Sequence, residues 1–372
     1  MAAYFFYGMM QDPALRDLML DAPRDVAPAR LADHVVRAVQ GQEFPMILDQ
    51  PGAAATGVAV RDLTAQELDR INHVAGVLGF QLRQIVVEGQ VWQIWLPEAG
   101  RWRPDGPWDL AQWQERGAPL MRAAVADLLA LRDDRPAQAL SARWPMIAVR
   151  AAARLLARQG KGEAEALGAG AAPRAADVEV MTRREPYANF FSVEEYDLRY
   201  RRFDGGVTPV VNRAVFVTGD AATVLPYDPQ RDRVLLIEQF RMGPFARGDA
   251  APWLLEPIAG RVDARETPEE AIRREAQEEA GLSLGALLPV GGFYPTPAAK
   301  SEYLHSFIGL ADLPDAAAGF GGLDEEAEDI RAHLLGYDRL MQLVDDGALS
   351  NGPLVLSALW LARHRERIRA GA

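Results

Sequence analysis

The stretch GRVDARETPEEAIRREAQEEAGL, Gly260 to Leu282, decides how this chain is read. Thr267 followed three residues later by Glu270 is the pattern of a capping box, in which each side chain accepts from the other residue's backbone N–H. Pro268 falls at the first helical position, where its missing N–H is harmless, and Gly281 suits the left-handed residue that closes a helix. These signals predict a helix over about 268–280. At ~100° per residue, Glu279 lies ~40° to one side of Glu275 and Glu278 ~60° to the other, so three carboxylates share an arc of ~100°. Ile272, Ala276 and Ala280 occupy the adjoining arc and can pack on a sheet. Arg274 is within reach of Glu270 or Glu278 by helical spacing, or of a loop carboxylate such as Glu266.

Three carboxylates on one arc repel each other unless a cation sits among them. A hard divalent ion answers that need, and magnesium prefers carboxylate oxygens, water and a substrate phosphate. A glutamate-rich helix by itself reads as a solvated face; the spacing overturns that reading. The segment fits Gly-x5-Glu-x7-Arg-Glu-U-x-Glu-Glu-x-Gly-U, U being apolar, at Gly260, Glu266, Arg274, Glu275, Ala276, Glu278, Glu279, Gly281 and Leu282. At ordinary residue usage, chance supplies such a match in about one of 10⁵ chains.

This pattern resembles the signature of the Nudix hydrolases, which cleave a nucleoside diphosphate linked to another moiety with Mg²⁺ or Mn²⁺. The resemblance implies an α/β/α sandwich with a mixed sheet. It also implies Glu275 and Glu279 as principal metal ligands, Glu278 at the metal cluster, the Ala259 carbonyl as a further ligand, and a Glu266–Arg274 pair that orients the helix. Diphosphate cleavage needs charge neutralised on the phosphate oxygens and an activated water, which agrees with those roles.

From 177 to about 368 the chain is similar to bacterial ADP-ribose pyrophosphatases. NFFSVEEYDLRYRRFDGG, RAVFVTGDAATVLPYDPQRDRVLLIEQFR, PWLLEPIAG and AEDIRAHLL carry the likeness. Pro297 stands sixteen residues beyond Gly281, as in that group; the AAKSE after it keeps Ser301 and Glu302 but lacks a frequent glycine. Within LDEEAEDI, the likeness aligns Glu328 with a metal-binding glutamate of a flexible loop and Glu326 with the catalytic base. Read alone, that cluster is an ordinary acidic loop before a strand. Arg241 has two readings, a phosphate ligand or one side of a surface ion pair. Arg213 and Phe190 fall in the region 184–215, which contacts either adenosine or the partner in homodimers that exchange N-terminal strands. Glu302 completes the set of substrate-binding candidates. The implied reaction converts ADP-ribose and water to AMP and ribose 5-phosphate. The alternatives are hydrolysis of another nucleoside diphosphate sugar or a dinucleotide.

Composition sets outer bounds. A chain of 372 residues suits two domains, and 49% hydrophobic with 25% charged residues is the balance of a folded soluble protein. A net charge of −12 argues against sequence-independent binding of nucleic acid or anionic membrane. With no cysteine, disulfides, thiolate nucleophiles, zinc ribbons and iron–sulfur clusters are excluded, leaving oxygen ligands and 5 histidines for any metal. MAAYFFYGMMQDP lacks the basic and long apolar regions of a secretion signal, and no run of 18 apolar residues occurs, so a cytoplasmic location is expected. The Gly/Ala-rich GKGEAEALGAGAAPRAA reads as a flexible connector. It divides the chain into residues 1–158, a linker 159–176, and residues 177–372.

Residues 1 to about 115 resemble the γ-glutamylcyclotransferase-like fold, a small β-barrel with helices, extended by helical sequence at 119–131 and 147–157. YFFYGMMQDPALRDLML matches its first strand and turn, where N–H groups after Tyr7–Gly8 would hold a carboxylate. GVAVRDLTAQELDRINHVAG matches a later segment that ends in a Tyr-Glu-Gly-like triplet, whose glutamate is the family's acid/base. Here the triplet is Val74-Ala75-Gly76. Without that proton shuttle the domain is expected to be a structural or binding module, an active cyclotransferase being the alternative. Nothing in the spacing of Glu43, Asp49, Asp62 or Glu67 recommends them as substitutes, and His73 reads as packed or surface. The fusion as a whole resembles proteins labelled as tellurite-resistance Nudix proteins, although the sequence carries no tellurium chemistry.

Overall fold

The apolar run Ala3–Tyr7 is buried at all five positions and forms a central strand, β1, of the first of two compact units into which the chain divides, 1–161 and 162–372. The computed structural model describes residues 3–158, 174–322 and 329–371. In the first unit β2 (Ala27–Val39) and β3 (Pro45–Arg61) form a long hairpin, and after it come β4 (Phe80–Val87), β5 (Gln90–Pro97) and β6 (Pro104–Pro107). They pair in the order β4-β5-β1-β3-β2-β6, with β1 parallel to β5 and antiparallel to β3.

That path is open, and the small closed barrel expected of this half is not formed by backbone pairing among the described residues. The end strand explains why. β6 is the exposed tetrapeptide PDGP, which pairs with β2 only at Pro104 and Pro107. Neither proline has an N–H to give a further strand.

Helices α1 (Pro13–Leu20), α2 (Ala65–Val77), α3 (Leu110–Arg116), α4 (Ala118–Ala130), α5 (Ala137–Ser141) and α6 (Trp144–Ala157) complete this unit. Asp12 caps α1 by accepting from Leu15 N at 2.8 Å, and its buried carboxylate also takes two hydrogen bonds from Arg122 of α4, at 3.0 and 2.7 Å. Of the expected linker, residues 159–173 lie outside the described residues. Ala175–Asp177 is a 3₁₀ turn, because the Asp177 carboxylate accepts from Arg174 N at 2.8 Å.

The second unit begins with an antiparallel sheet of β7 (Val178–Ala188), β8 (Ser192–Tyr200) and β9 (Val211–Val217). Next come β10 (Ala221–Asp228), β11 (Arg233–Phe240), α7 (Met242–Arg247), β12 (Trp253–Glu256), β13 (Ile258–Arg261) and α8 (Pro268–Ala280). The chain ends with β14 (Leu287–Phe293), β15 (Leu304–Leu310), β16 (Gly319–Gly321), β17 (Ile330–Gly336), α9 (Tyr337–Asp345) and α10 (Gly352–Ala370). A mixed sheet runs β14-β15-β10-β11-β17-β16, with β12 on β11 and β13 on β10; β10 and β15 are the parallel pair.

Period-two alternation sorts its side chains to two cores. Ala222, Val224, Leu235 and Ile237 face Ile272 and Ala276 of α8, with Ala280 packed alongside. Leu225, Tyr227, Val234 and Leu236 face Leu340 of α9 and Leu354, Ala358 and Leu361 of α10. Helix, sheet and helix therefore stack as three layers.

The β10–β11 turn ties the last helix to the sheet. Asp232, at φ 54°, accepts from the Tyr227 hydroxyl at 2.8 Å and from Arg365 Nε at 2.8 Å, and pairs with Arg369 at 2.6 Å. Arg365 holds the Asp232 carboxyl down at about 2, with Tyr227 and Arg369 adding to the effect against a smaller opposing contribution from burial. A depressed carboxyl stabilises the fold above its ordinary pKa and loses that contribution as pH falls through the folded value. Asp232→Asn should lower stability by about 2 kcal/mol at pH 7. In urea unfolding curves the gap to the parent protein should close as pH is taken from about 4 towards 2.

Candidate active site

Helix α8 has the expected bounds, and both halves of its capping box are formed: Glu270 N donates to Thr267 Oγ1 at 3.2 Å and Thr267 N to Glu270 Oε2 at 2.8 Å. Gly281 closes it at φ 62°. Its buried face is Ala271, Ile272 and Ala276, and Glu279 is buried with them at 2% exposure.

Arg274 organises the acidic face. Its Nε and Nη2 donate to the two carboxylate oxygens of Glu266 at 2.8 and 3.0 Å. Nη1 donates to Glu275 Oε1 at 2.8 Å and Glu278 Oε2 at 3.0 Å, and Nη2 also reaches the Arg261 carbonyl at 3.2 Å. One guanidinium thus joins a loop, a strand end and two glutamates of the helix. Arg274 keeps Glu266 below the usual carboxylate range, and Glu266 chiefly raises Arg274 in return.

Strand β13 carries Ala259 and Gly260 beside this face. Ala259 N lies 3.4 Å from Glu279 Oε2. A Cβ at Gly260 would fall 1.9 Å from Glu275 Cδ and Oε1, so the Glu275 carboxylate occupies the space that the glycine leaves open. Gly321 on β16 performs a second close approach, since a Cβ there would meet the Glu279 carbonyl oxygen at 1.9 Å. Sequence reading missed both reasons; the only trace of the second is the small-residue run GFGG before the acidic stretch of sequence.

Among the described residues no three acidic or histidine side chains converge in the arrangement of a metal site. Arg274 instead takes Glu275 and Glu278 by separate hydrogen bonds. The donors nonetheless suit a hard divalent ion: carboxylates on consecutive helical turns beside a backbone strand stripped of a side chain at Gly260. Glu326 and Glu328 lie outside the described residues.

The substrate candidates separate. Arg241 is in an ion pair, donating through Nε to Glu256 Oε2 at 2.8 Å, while Asn351 donates to the other oxygen of Glu256 at 3.0 Å. Arg213 is exposed on β9 and donates to the Asn212 carbonyl at 2.9 Å. Glu302 takes Lys300 Nζ at 2.8 Å, and Ser301 Oγ accepts from Thr218 N at 3.2 Å. Phe190, half exposed, lies under the Arg261 guanidinium at 4.3 Å from the ring centroid. That cation–π contact joins the β7–β8 turn to the end of β13, and no sequence spacing announces it.

In the first unit two of the carboxylates considered as substitutes, Glu67 and Asp49, have structural partners. Glu67 completes the capping box of α2 and takes two hydrogen bonds of 2.7 Å from Arg24, which, with help from Thr64, hold it at about 2 despite the opposing effect of burial. Asp49 pairs with His34 at 3.1 Å. His73 is the packed alternative, its pKa lowered by burial.

A helix-flanked mixed sheet carrying a glutamate face held by arginine against a glycine strand defines a Nudix-type hydrolase domain. The profile of the NUDIX domain matches residues 217–355. The ADP-ribose pyrophosphatase of Escherichia coli strain K12 is 39% identical over 193 residues, covering 52% of this chain and 91% of that protein. The Haemophilus influenzae ADP-ribose pyrophosphatase is 35% identical over 50% of this chain and 86% of its own. A GDP-mannose pyrophosphatase from Pectobacterium atrosepticum is 30% identical over 48% and 91%. The chain belongs to the Nudix family.

Two glycine substitutions distinguish position from stability. The nearest atoms that Gly260→Ala would meet belong to the Glu275 side chain, so the fold should survive while the displaced Glu275 carboxylate lowers activity by about 100-fold. Gly321→Ala collides with backbone and should destabilise the protein by about 1–3 kcal/mol, read from urea unfolding midpoints.

Proposed function

We propose that the second unit hydrolyses the diphosphate of ADP-ribose, releasing AMP and ribose 5-phosphate, with Mg²⁺ or Mn²⁺ as cofactor. The observation that carries this reading is the α8 glutamate face tied by Arg274, in a chain 39% identical to an ADP-ribose pyrophosphatase and 30% identical to a GDP-mannose pyrophosphatase. Glu275, Glu279, Glu278 and the Ala259 carbonyl would hold the ion. When bound, a divalent ion supplies positive charge and Lewis acidity against the diphosphate oxygens.

The chain's own residues prepare the site. Glu266 locks Arg274 through two parallel hydrogen bonds, and Arg274 fixes the directions of Glu275 and Glu278 before any substrate arrives. Gly260 leaves the Glu275 carboxylate room against β13. In this proposal Glu326 takes a proton from the attacking water and Glu328 adds a ligand from the same loop. The half-exposed Phe190 ring offers a stacking face for adenine, and Arg213 and Glu302 supply polar contacts. Arg241 would reach phosphate only by sharing its guanidinium with Glu256.

The β7–β9 sheet presents Val180, Met181, Tyr187 and Phe190 at 50–55% exposure. Such apolar exposure supports a homodimer formed through the Nudix unit. The first unit, with Ala75 where a cyclotransferase-like acid would stand, is read as a non-catalytic binding or structural module.

Incubation with ADP-ribose and Mg²⁺ should yield AMP, and Glu279→Gln should reduce the rate by at least about 100-fold. Faster hydrolysis of GDP-mannose or NADH than of ADP-ribose would replace the substrate assignment. Sedimentation should give twice the monomer mass; a monomer at micromolar concentration would remove the dimer from the proposal.

A further inference from the structure

Arg261 ends β13, following Ala259 and Gly260, the two residues that stand beside the α8 glutamate face. Successive side chains of a strand point to opposite faces. The Cβ position of Gly260 is directed at Glu275, so the Arg261 side chain leaves the strand on the other face. There its guanidinium lies over the Phe190 ring, 4.3 Å from the centroid, while its carbonyl accepts from Arg274 Nη2 at 3.2 Å. One residue thus touches the exposed ring through its side chain and the arginine of the acidic face through its backbone.

The other arginines near this chemistry are placed differently. Arg241 gives Nε and Nη2 to one oxygen of Glu256, at 2.8 and 2.7 Å. Arg274 is engaged by Glu266, Glu275 and Glu278. Arg213 donates to the carbonyl of Asn212, its neighbour in sequence. None of the three is set against an aromatic ring and the glutamate face together.

A guanidinium stacked on a ring makes that contact with its flat face, whereas its N–H donors lie in its plane and point outward from the edge. Stacking therefore holds the group without using the donors that a phosphate takes in pairs. Ala259 and Arg261 are ~6.6 Å apart along the strand, two residues of rise. A diphosphate carries its charge on two adjacent phosphates. A strand end with carboxylates for an ion on one face and a fixed guanidinium on the other meets both. Phe190 stays half exposed beneath the arginine, so the ring keeps open surface for a base.

We propose that Arg261 binds the diphosphate of a nucleotide whose base stacks at Phe190. The inference rests on the second unit being a nucleoside diphosphate sugar hydrolase, and it moves the principal phosphate contact from Arg241 to Arg261.

Calorimetric titration of the full chain in EDTA, with ADP and with adenosine, separates phosphate from base. Arg261→Met keeps a long side chain on the ring, through a sulfur that packs well on aromatics, and removes the charge and the fork of donors. It should weaken ADP at least tenfold and change adenosine less than twofold. Arg261→Lys, which restores charge without the fork, should recover part of the loss. Equal weakening of ADP and adenosine by Arg261→Met would make the contact a support for Phe190 alone and overturn the proposal. So would an unchanged ADP affinity, or a parent protein that binds ADP no more tightly than adenosine. If Arg261→Met does not fold, Arg261→Gln is measured by the same criteria. Hydrolysis tests the underlying reading separately. A tenfold loss of ADP in Arg261→Met, with no cleavage of ADP-ribose by the parent protein in Mg²⁺, would keep the phosphate contact and remove the assigned substrate.

Discussion

The hydrogen bonds of Arg274 are the constraint on which the second unit's chemistry depends. Glutamates at 266, 275 and 278 approach one another only because a single guanidinium, planar and permanently charged, donates to all three. The same group reaches the Arg261 carbonyl at the end of β13, so the loop before α8, the helix and the strand beside it are fixed together. A lysine could supply the charge but not the fork of donors, and the carboxylates would splay under their own repulsion.

Around that knot the packing is arranged to leave one helical face polar. Alternation along β10 and β11 divides the sheet's side chains between two cores, and α8 needs only small residues, Ala271 and Ala276, with Ile272, to sit close to the sheet. Close packing is what admits Glu279 to a buried position and demands glycine at 321, while glycine at 260 leaves room for the Glu275 carboxylate. On the opposite layer Asp232 binds α10 to the β10–β11 turn through Arg365 and Arg369, securing the face of the sheet that carries no catalytic candidates.

The first unit shows the converse use of the same residue types. Its buried carboxylates are spent on caps and arginine pairs, Asp12 on α1 and Arg122, Glu67 on α2 and Arg24. A cavity at the junction of β1, α1 and α2 is lined by aromatic rings and methionines and carries no titratable acid or base apart from the hydrogen-bonded Tyr7. General acid–base chemistry requires a titratable group within hydrogen-bond reach of the reacting atom, and Ala75 supplies none.

The sequence by itself determined the features that local geometry sets. The ends of α8, its capping box, its closing glycine and the arc of Glu275, Glu278 and Glu279 all depend on spacing along one helix, where each residue turns by a fixed angle. Helices near 119–131 and 147–157 were legible for the same reason. Tertiary structure decided whatever depends on distance between residues far apart in the chain. It alone placed Arg241 against Glu256, Arg261 over Phe190 and Gly321 on the Glu279 carbonyl, left the first unit's sheet open at a proline-bounded edge, and put Ala75 in an apolar cavity. Periodicity fixes which way a side chain points from its own backbone; only the packed fold fixes what it meets there.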